Sequence, residues 1–322
     1  MKTLIIGGTG LLGYHAILEL LKRGHTAAAV AIPDAVPGDW FPPEASVAYG
    51  DVFAMNPTEL KELFRGYDAM VYAVGPDDRV TPKAPAHEFF HERLVEACAR
   101  VVSAAREAGV RKCVVLNSYF AYFDRIWPEA GLAEHHPYIR CRVEQAERVI
   151  CEGMGAMDVC VLELPYIFGT MPGRIPLWKD ILIEYLRKSP VVFFPRGGTG
   201  MLSAKSVAEA IAGALENGVH GKRYLIGDEN MEWKRLLGIM LDEMGEKKKI
   251  VYIPEFAASL QGLKMKREHR AKGLESGLDP AHLFRDIQCR YLYIDAGESK
   301  VELGYDGGGL EDAIRETVRA CL

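Results

Sequence analysis

No apolar run in this 322-residue chain is long enough to cross a bilayer as a helix, which excludes a helical membrane span. A basic surplus is also missing. The 39 Lys and Arg face 44 Asp and Glu, a formal charge of −5. That disfavours a dedicated nucleic-acid binder, whose footprint is positive charge. Cysteine pairs are absent: the seven cysteines are scattered, with no C-x-x-C spacing. This points to reduced thiols in a cytoplasm, not to a disulfide framework or a zinc site. Cys98, Cys113 and Cys160 sit in apolar patterns and are expected in the core. No metal site is expected. No secretory signal pattern opens the chain, because a strand pattern starts at once and a glycine turn interrupts it. Internal repeats and low-complexity linkers are lacking too.

What is present is alternation. Short apolar runs at Leu4 to Ile6, Ala27 to Ile32, Val47 to Tyr49, Ala69 to Val74, Cys113 to Leu116 and Val159 to Leu164 predict strands. Between them fall helical patterns: Leu11 to Arg23, Asn56 to Arg65, Glu88 to Ala108 and Tyr138 to Cys151. Asn56-Pro57-Thr58-Glu59 carries a capping residue, a first-turn proline and a box glutamate. Such alternation implies an α/β fold with a doubly wound parallel sheet, the Rossmann arrangement. Residues 1–165 form the dinucleotide-binding domain on this reading, with 191–230 contributing. Residues 166–190 and 231–322 form a smaller, mostly helical C-terminal substrate lobe. In it, helices are expected over Lys179 to Arg187 and from about Met231, Glu255 and Leu310. Strands are expected at Val191 to Phe194 and Tyr224 to Ile226, with a helix over Ser206 to Glu216 between them. Lys247 to Lys249 is expected at a solvated helix end.

Ligands in such folds lie beyond the carboxyl ends of the strands. After the first strand stands Gly7-Gly8-Thr9-Gly10-Leu11-Leu12-Gly13. Gly7, Gly10 and Gly13 allow a tight turn, close approach of a pyrophosphate, and close helix–strand packing. The helix opening at Leu11 and Leu12 offers free N–H groups and the positive end of its dipole. Strand before and helix after is the context that makes this a dinucleotide fingerprint. Gly75 follows the fourth strand, where a missing side chain lets a cofactor lie close. The second strand ends in Ala31, Ile32 and Pro33, with neither a carboxylate nor an arginine, so NAD and NADP both remain open. Asp51 stands at the end of the third strand, as turn residue or ligand contact.

The order of these segments resembles an extended short-chain dehydrogenase/reductase, the group of the NAD-dependent epimerases and dehydratases. The resemblance is carried by GGTGLLG at Gly7 to Gly13, YGDV at Tyr49 to Val52, AVGP at Ala73 to Pro76 and VVLNSYFAY at Val114 to Tyr122. It continues through YIRCRVEQAE at Tyr138 to Glu147, LPYIFG at Leu164 to Gly169, SVAEAI at Ser206 to Ile211 and SKVELGY at Ser299 to Tyr305. It implies cofactor contacts from Thr9, Asp51, Val52 and Pro165, with Asp51 at the adenine. It also implies a catalytic Ser118, Tyr138 and a lysine four residues on. The tyrosine exchanges a proton at the substrate oxygen, the serine holds that oxygen, and the lysine favours the tyrosinate and binds the nicotinamide ribose.

Here that lysine is Arg142. Four residues apart on a helix, Tyr138 and Arg142 share a face. Arginine keeps its positive charge but cannot pass a proton onward. Three readings follow: an active site with arginine in the electrostatic role, one using Tyr119, Tyr122 or His136 instead, or cofactor binding without redox chemistry. Packing is the preferred role of Tyr119 and Tyr122, and His135 and His136 are expected in a loop before Pro137. The arginine that holds a diphosphate in nucleotide-sugar members is missing at Thr199-Gly200-Met201. Arg174 and Arg196 are expected as surface charges, and Asp77 to Pro85 as a surface loop bordering the substrate. The expected activity is NAD(P)-dependent hydride transfer at a carbonyl or secondary alcohol of a small molecule. An epimerase or dehydratase cycle and a cofactor-binding sensor or scaffold are the alternatives. RNA binding, known for divergent members, is opposed by the acidic balance. Neither nucleic-acid nor membrane partners are expected, and a homodimer follows from the family alone.

Overall fold

A computed structural model describes residues 1–322. The first strand, β1 (Lys2–Ile6), is buried from Thr3 onward, so its apolar run faces helices on both sides. It pairs in parallel with β2 (Thr26–Ala31) on one edge and with β4 (Ala69–Tyr72) on the other. Outside β2 lies β3 (Ser46–Tyr49). Outside β4 lie β5 (Lys112–Ser118), β6 (Asp158–Leu164) and, after the chain has passed through residues 166–203, β10 (Arg223–Leu225). The seven-stranded sheet thus runs β10-β6-β5-β4-β1-β2-β3, and its order reverses between β1 and β4. A crevice opens there, above the carboxyl ends of the strands.

Helices cover both faces. The helix α1 (Leu11–Lys22) packs beside α6 (Ala204–Asn217) on one face, around Ile5, Leu20, Ile211 and Leu215. On the other face lie α2 (Pro57–Leu63), with its capping box closed as the sequence predicts, and α3, running from Ala86 through a π-turn at His91–Glu96 to Glu107. Beside them stand α4 (Phe120–Ile126) and α5 (Pro137–Gly153). The π-turn adds one residue to the turn within α3, a local irregularity that the apolar pattern does not announce.

Beyond the main sheet the chain builds a second core. β7 (Tyr166–Phe168), β9 (Gly198–Ser203), β11 (Glu229–Glu232) and β13 (Tyr291–Leu292) form a small sheet, while β8 (Val191–Pro195) pairs with β12 (Lys249–Ile253). Phe168 stacks on Trp178 with ring centroids 4.4 Å apart. Around them pack α7 (Trp233–Glu243) and α9 (Leu310–Cys321), with α8 (Glu255–Ala271) further out. Two expectations need correction here. Met231 lies in β11, and the helix begins only at Trp233, because ladder pairing with β9 claims Glu229–Glu232. The basic run Lys247 to Lys249 is no solvated helix end. Lys249 opens β12, and Lys248 Nζ donates to the carbonyls of Leu186 and Arg187 at 2.6 and 3.1 Å, satisfying the open end of a neighbouring helix.

Candidate active site

The turn after β1 has no room for a side chain at Gly7 or Gly13. Gly7 has φ of +85°, and a Cβ there would stand 2.4 Å from Val74 Cγ1. A Cβ on Gly13 would stand 2.3 Å from the Gly7 carbonyl oxygen. Gly10 is the N-cap of α1 and supplies no capping side chain, so the first-turn N–H groups stay open to a ligand. The donor set therefore fits a dinucleotide pyrophosphate.

Above this turn lies a cavity of about 790 Å³. Gly10, Leu11, Leu12 and Gly75 line it from the sheet side. Ser118, Tyr138, Arg142 and Pro165 line it further along. Gly7, Thr9 and Gly13 are not among its lining residues, and neither are Asp51 and Val52. The Asp51 carboxylate is engaged locally, accepting from the Phe53 N–H at 2.9 Å, and Val52 is buried. A Cβ on Gly75, at φ of +136°, would meet Leu94 Cδ2 at 2.7 Å.

The candidate catalytic side chains come from two elements. Ser118 ends β5 and is buried; its N–H donates to Asn117 Oδ1 at 2.6 Å, and its Oγ accepts from the Phe120 N–H at 3.3 Å. Tyr138 stands in the first turn of α5, one turn before Arg142. The Arg142 Nε–H donates to the Tyr138 hydroxyl oxygen at 2.9 Å. Its Nη1 donates to Gln145 Oε1 at 2.8 Å and to the Leu116 carbonyl at 3.3 Å. Gln145 Oε1 also accepts from Asn117 Nδ2 at 3.1 Å, and that amide donates to the Arg142 carbonyl at 3.0 Å. Arg142 is thus held by both β5 and its own helix. Asn117 and Gln145 were not singled out in the sequence. The i, i+3 spacing of Arg142 and Gln145 was the available signal.

Electrostatics in the cleft oppose one another. Burial raises the Tyr138 pKa, and the Arg142 guanidinium pulls it back down. The loop after Gly75 adds two carboxyl groups that differ. Asp77 is held below the usual carboxylate range: burial would raise it, but the hydrogen-bonded Arg79 guanidinium prevails. Asp78 makes no side-chain hydrogen bond or ion pair, and burial raises its pKa to about 6 despite nearby Arg79. The loop therefore lines the cleft through Asp77, Asp78, Arg79 and Thr81, which goes beyond a surface loop.

The other groups weighed from the sequence separate. Tyr119 borders the cavity, but its hydroxyl is paired with Thr199 Oγ1 at 2.5 Å inside an aromatic cluster. Tyr122 lies outside the cavity, against Phe123 and under the Arg125 guanidinium. His136 is no exposed loop residue: it is fully buried, and its Nδ1 accepts from the Asp279 N–H at 2.9 Å. His135 ends a short helix, Leu132–His135, and its Nδ1 lies 2.8 Å from the buried Asp286 carboxylate. Neither histidine reaches the cleft. Arg174, although exposed, lines the cavity, with Nη1 3.8 Å from where a Gly10 Cβ would stand. No carboxylate lies within 4.0 Å of it. Arg196 stays outside, over the Tyr252 ring.

Comparison with known proteins agrees with this geometry. Residues 7–153 match the NAD(P)H-binding family. The chain is 24% identical over 244 residues to a mouse sterol-4-alpha-carboxylate 3-dehydrogenase, covering 74% of this chain and 62% of that enzyme's length. It is 23% identical to a Stigmatella aurantiaca 4-hydroxy-2-methyl-3-oxo-4-farnesyl-3,4-dihydroquinoline-1-oxide ketoreductase, covering 95% and 92% of the two chains. Among solved structures, gox2253 superposes with a TM-score of 0.80 at 20% identity, over 99% and 97% of the chains. A Streptomyces venezuelae dTDP-glucose 4,6-dehydratase with bound NAD superposes with a TM-score of 0.66 at 18% identity, over 99% and 96%. The fold is that of these solved structures, in keeping with the resemblance in the sequence.

Proposed function

We propose that this protein is an NAD(P)-dependent oxidoreductase of the extended short-chain type, acting at a carbonyl or secondary alcohol. The observation that carries this reading is the Arg142–Tyr138 hydrogen bond, formed in the same cavity as Ser118 and the glycine turn. When bound, the cofactor supplies or accepts the hydride. In the reducing direction the Tyr138 hydroxyl gives its proton to the substrate oxygen, and Ser118 Oγ donates a hydrogen bond to that oxygen. The guanidinium of Arg142 then stabilises the tyrosinate left behind. Arginine does not relay a proton, so Tyr138 recovers its proton from solvent water. The first-turn N–H groups of α1 hold the pyrophosphate, and Arg174 adds a cation beside them. Asp51 and Val52 take the adenine end.

The substrate we propose is largely apolar. The cavity is walled by Tyr166, Ile167, Met171, Leu177, Trp178 and Leu278. Support also comes from the relatives, whose names describe a sterol and a farnesylated quinoline. The seven cysteines are unpaired, which fits a cytoplasmic location, and a homodimer is the assembly we expect. Titration of NADH and NADPH by fluorescence, followed by turnover on a panel of apolar ketones, tests the reading. Binding with turnover that Tyr138→Phe abolishes supports it. Binding with no turnover by any substrate favours a cofactor-dependent sensor, and failure to bind either cofactor sinks both.

A further inference from the structure

The helix α8 has two faces with different tasks. Ala258, Gly262, Met265 and His269 recur at i, i+4, i+7 and i+11, hence on one face. Ala258 and Gly262 are buried, and a Cβ on Gly262 would stand 2.0 Å from the Pro280 carbonyl oxygen. Met265 and His269 line the catalytic cavity. This face is satisfied by the protein.

The opposite face is not. Phe256, Leu260 and Leu263 lie along one stripe at i, i+4 and i+7, and they are 70%, 62% and 42% exposed. Single exposed apolar residues are normal, but an aligned stripe on one helix marks an interaction surface. The same stripe continues into Arg267 and Arg270, four and seven residues beyond Leu263. Between Lys264 and Lys272 the chain has five Lys or Arg and one carboxylate, Glu268, although the whole protein carries −5. Lys264 approaches Glu268 at 3.9 Å and Lys266 pairs with Asp279. Arg267, Arg270 and Lys272 are exposed and have no carboxylate within 4.0 Å.

We propose that the outer face of α8 rests on an anionic lipid bilayer. Phe256, Leu260 and Leu263 enter the headgroup boundary, and the unpaired cations meet lipid phosphates. The charge decides the occupant. A second copy of this acidic protein would bring its own α8 cations against these, whereas an anionic leaflet complements them. A contact of this kind needs no spanning segment, so it departs from the expectation of no membrane partner without requiring a membrane helix. The cavity then lies across the helix from the lipid, lined on its inner face by Met265 and His269. Leu177 and Ile181 also line the cavity while 47% and 39% exposed.

Vesicle flotation tests this without cofactor or substrate, so its outcome is separate from that of the catalytic reading. The wild type should float with phosphatidylglycerol-containing vesicles, remain behind with phosphatidylcholine alone, and detach in high salt. Arg267→Glu with Arg270→Glu should weaken binding about tenfold or more, from roughly 1 kcal/mol for each surface cation. Phe256→Ser with Leu260→Ser should weaken it on both sides of the salt series. Unchanged thermal melting of these surface variants shows that they fold. Equal flotation on both vesicle types, no flotation on either, or variants that float like the wild type would overturn the proposal. Light scattering that shows a dimer broken by Phe256→Ser would instead assign the face to self-association, and would overturn it too.

Discussion

Across one turn of α5, the Arg142 Nε–H points at the Tyr138 hydroxyl oxygen from 2.9 Å. An Nε contact differs from what a lysine ammonium could offer at this place. The guanidinium fork remains free to brace itself, through Nη1, on Gln145 and Leu116. The cation is therefore fixed in direction as well as in sign.

Removing the tyrosine hydroxyl should separate chemistry from binding. Tyr138→Phe is expected to lower kcat about 10²- to 10⁴-fold, the usual contribution of a positioned acid. NAD(P)H affinity, read by fluorescence titration, should change little.

Neutralising the partner should move a pH profile. Burial raises the Tyr138 pKa and Arg142 lowers it, so Arg142→Met leaves burial unopposed. The alkaline limb of kcat/KM then shifts to higher pH. An unmoved limb would mean that another group titrates there. Arg142→Lys should recover the position of the limb only in part, because a single ammonium does not reproduce the bonds to Tyr138, Gln145 and Leu116.

Asp78 gives a stability test. Its folded pKa is raised to about 6 from 3.8, so folding favours the protonated form. The stabilising contribution is complete below about pH 3.8 and is lost as pH rises through about 6. Asp78→Asn should therefore melt higher than the wild type at pH 7, by roughly 1–3 kcal/mol, and the gap should close toward pH 4. Thermal melts of both proteins over that range check it.

Arg174 and Gly13 probe the cofactor end. Arg174→Ala should weaken NAD(P)H binding about tenfold, the scale of one charged hydrogen bond, with an unchanged melting temperature. Gly13→Ala puts a Cβ against the Gly7 carbonyl, a backbone atom that cannot swing aside. A loss of about 1–3 kcal/mol in stability and a collapse of cofactor affinity are expected. Calorimetry and titration read the two effects separately.

The legible part of this chain is what local chemistry dictates. Glycine spacing after an apolar strand announced the tight turn into α1, and helix-face spacing announced Tyr138 with Arg142. The alternation of strands and helices announced a parallel sheet with its crevice. The illegible part depends on residues far apart in sequence meeting in space. Asp78 looks like a surface-loop residue until the loop after β4 is seen to line the cavity. Arg174 looks like a surface charge until the chain returns over Gly10. His136 looks like a loop residue until residues 279 and 286 bury it. Met231 shows the same limit in secondary structure: its helical pattern yields to the ladder with β9, a partner about thirty residues earlier.

The Tyr138 N–H donates to the carbonyl of Gly277 at 2.9 Å, and a Cβ on that glycine would press on the Phe90 ring at 2.7 Å and on Tyr138 Cβ at 3.0 Å. Tyr138 is thereby stitched to a distant part of the chain at a seam with no spare width. Parting the two halves along that seam would break the stitch and move the tyrosine itself. The tyrosine is thus anchored by a residue 139 positions further along the chain as well as by its own helix.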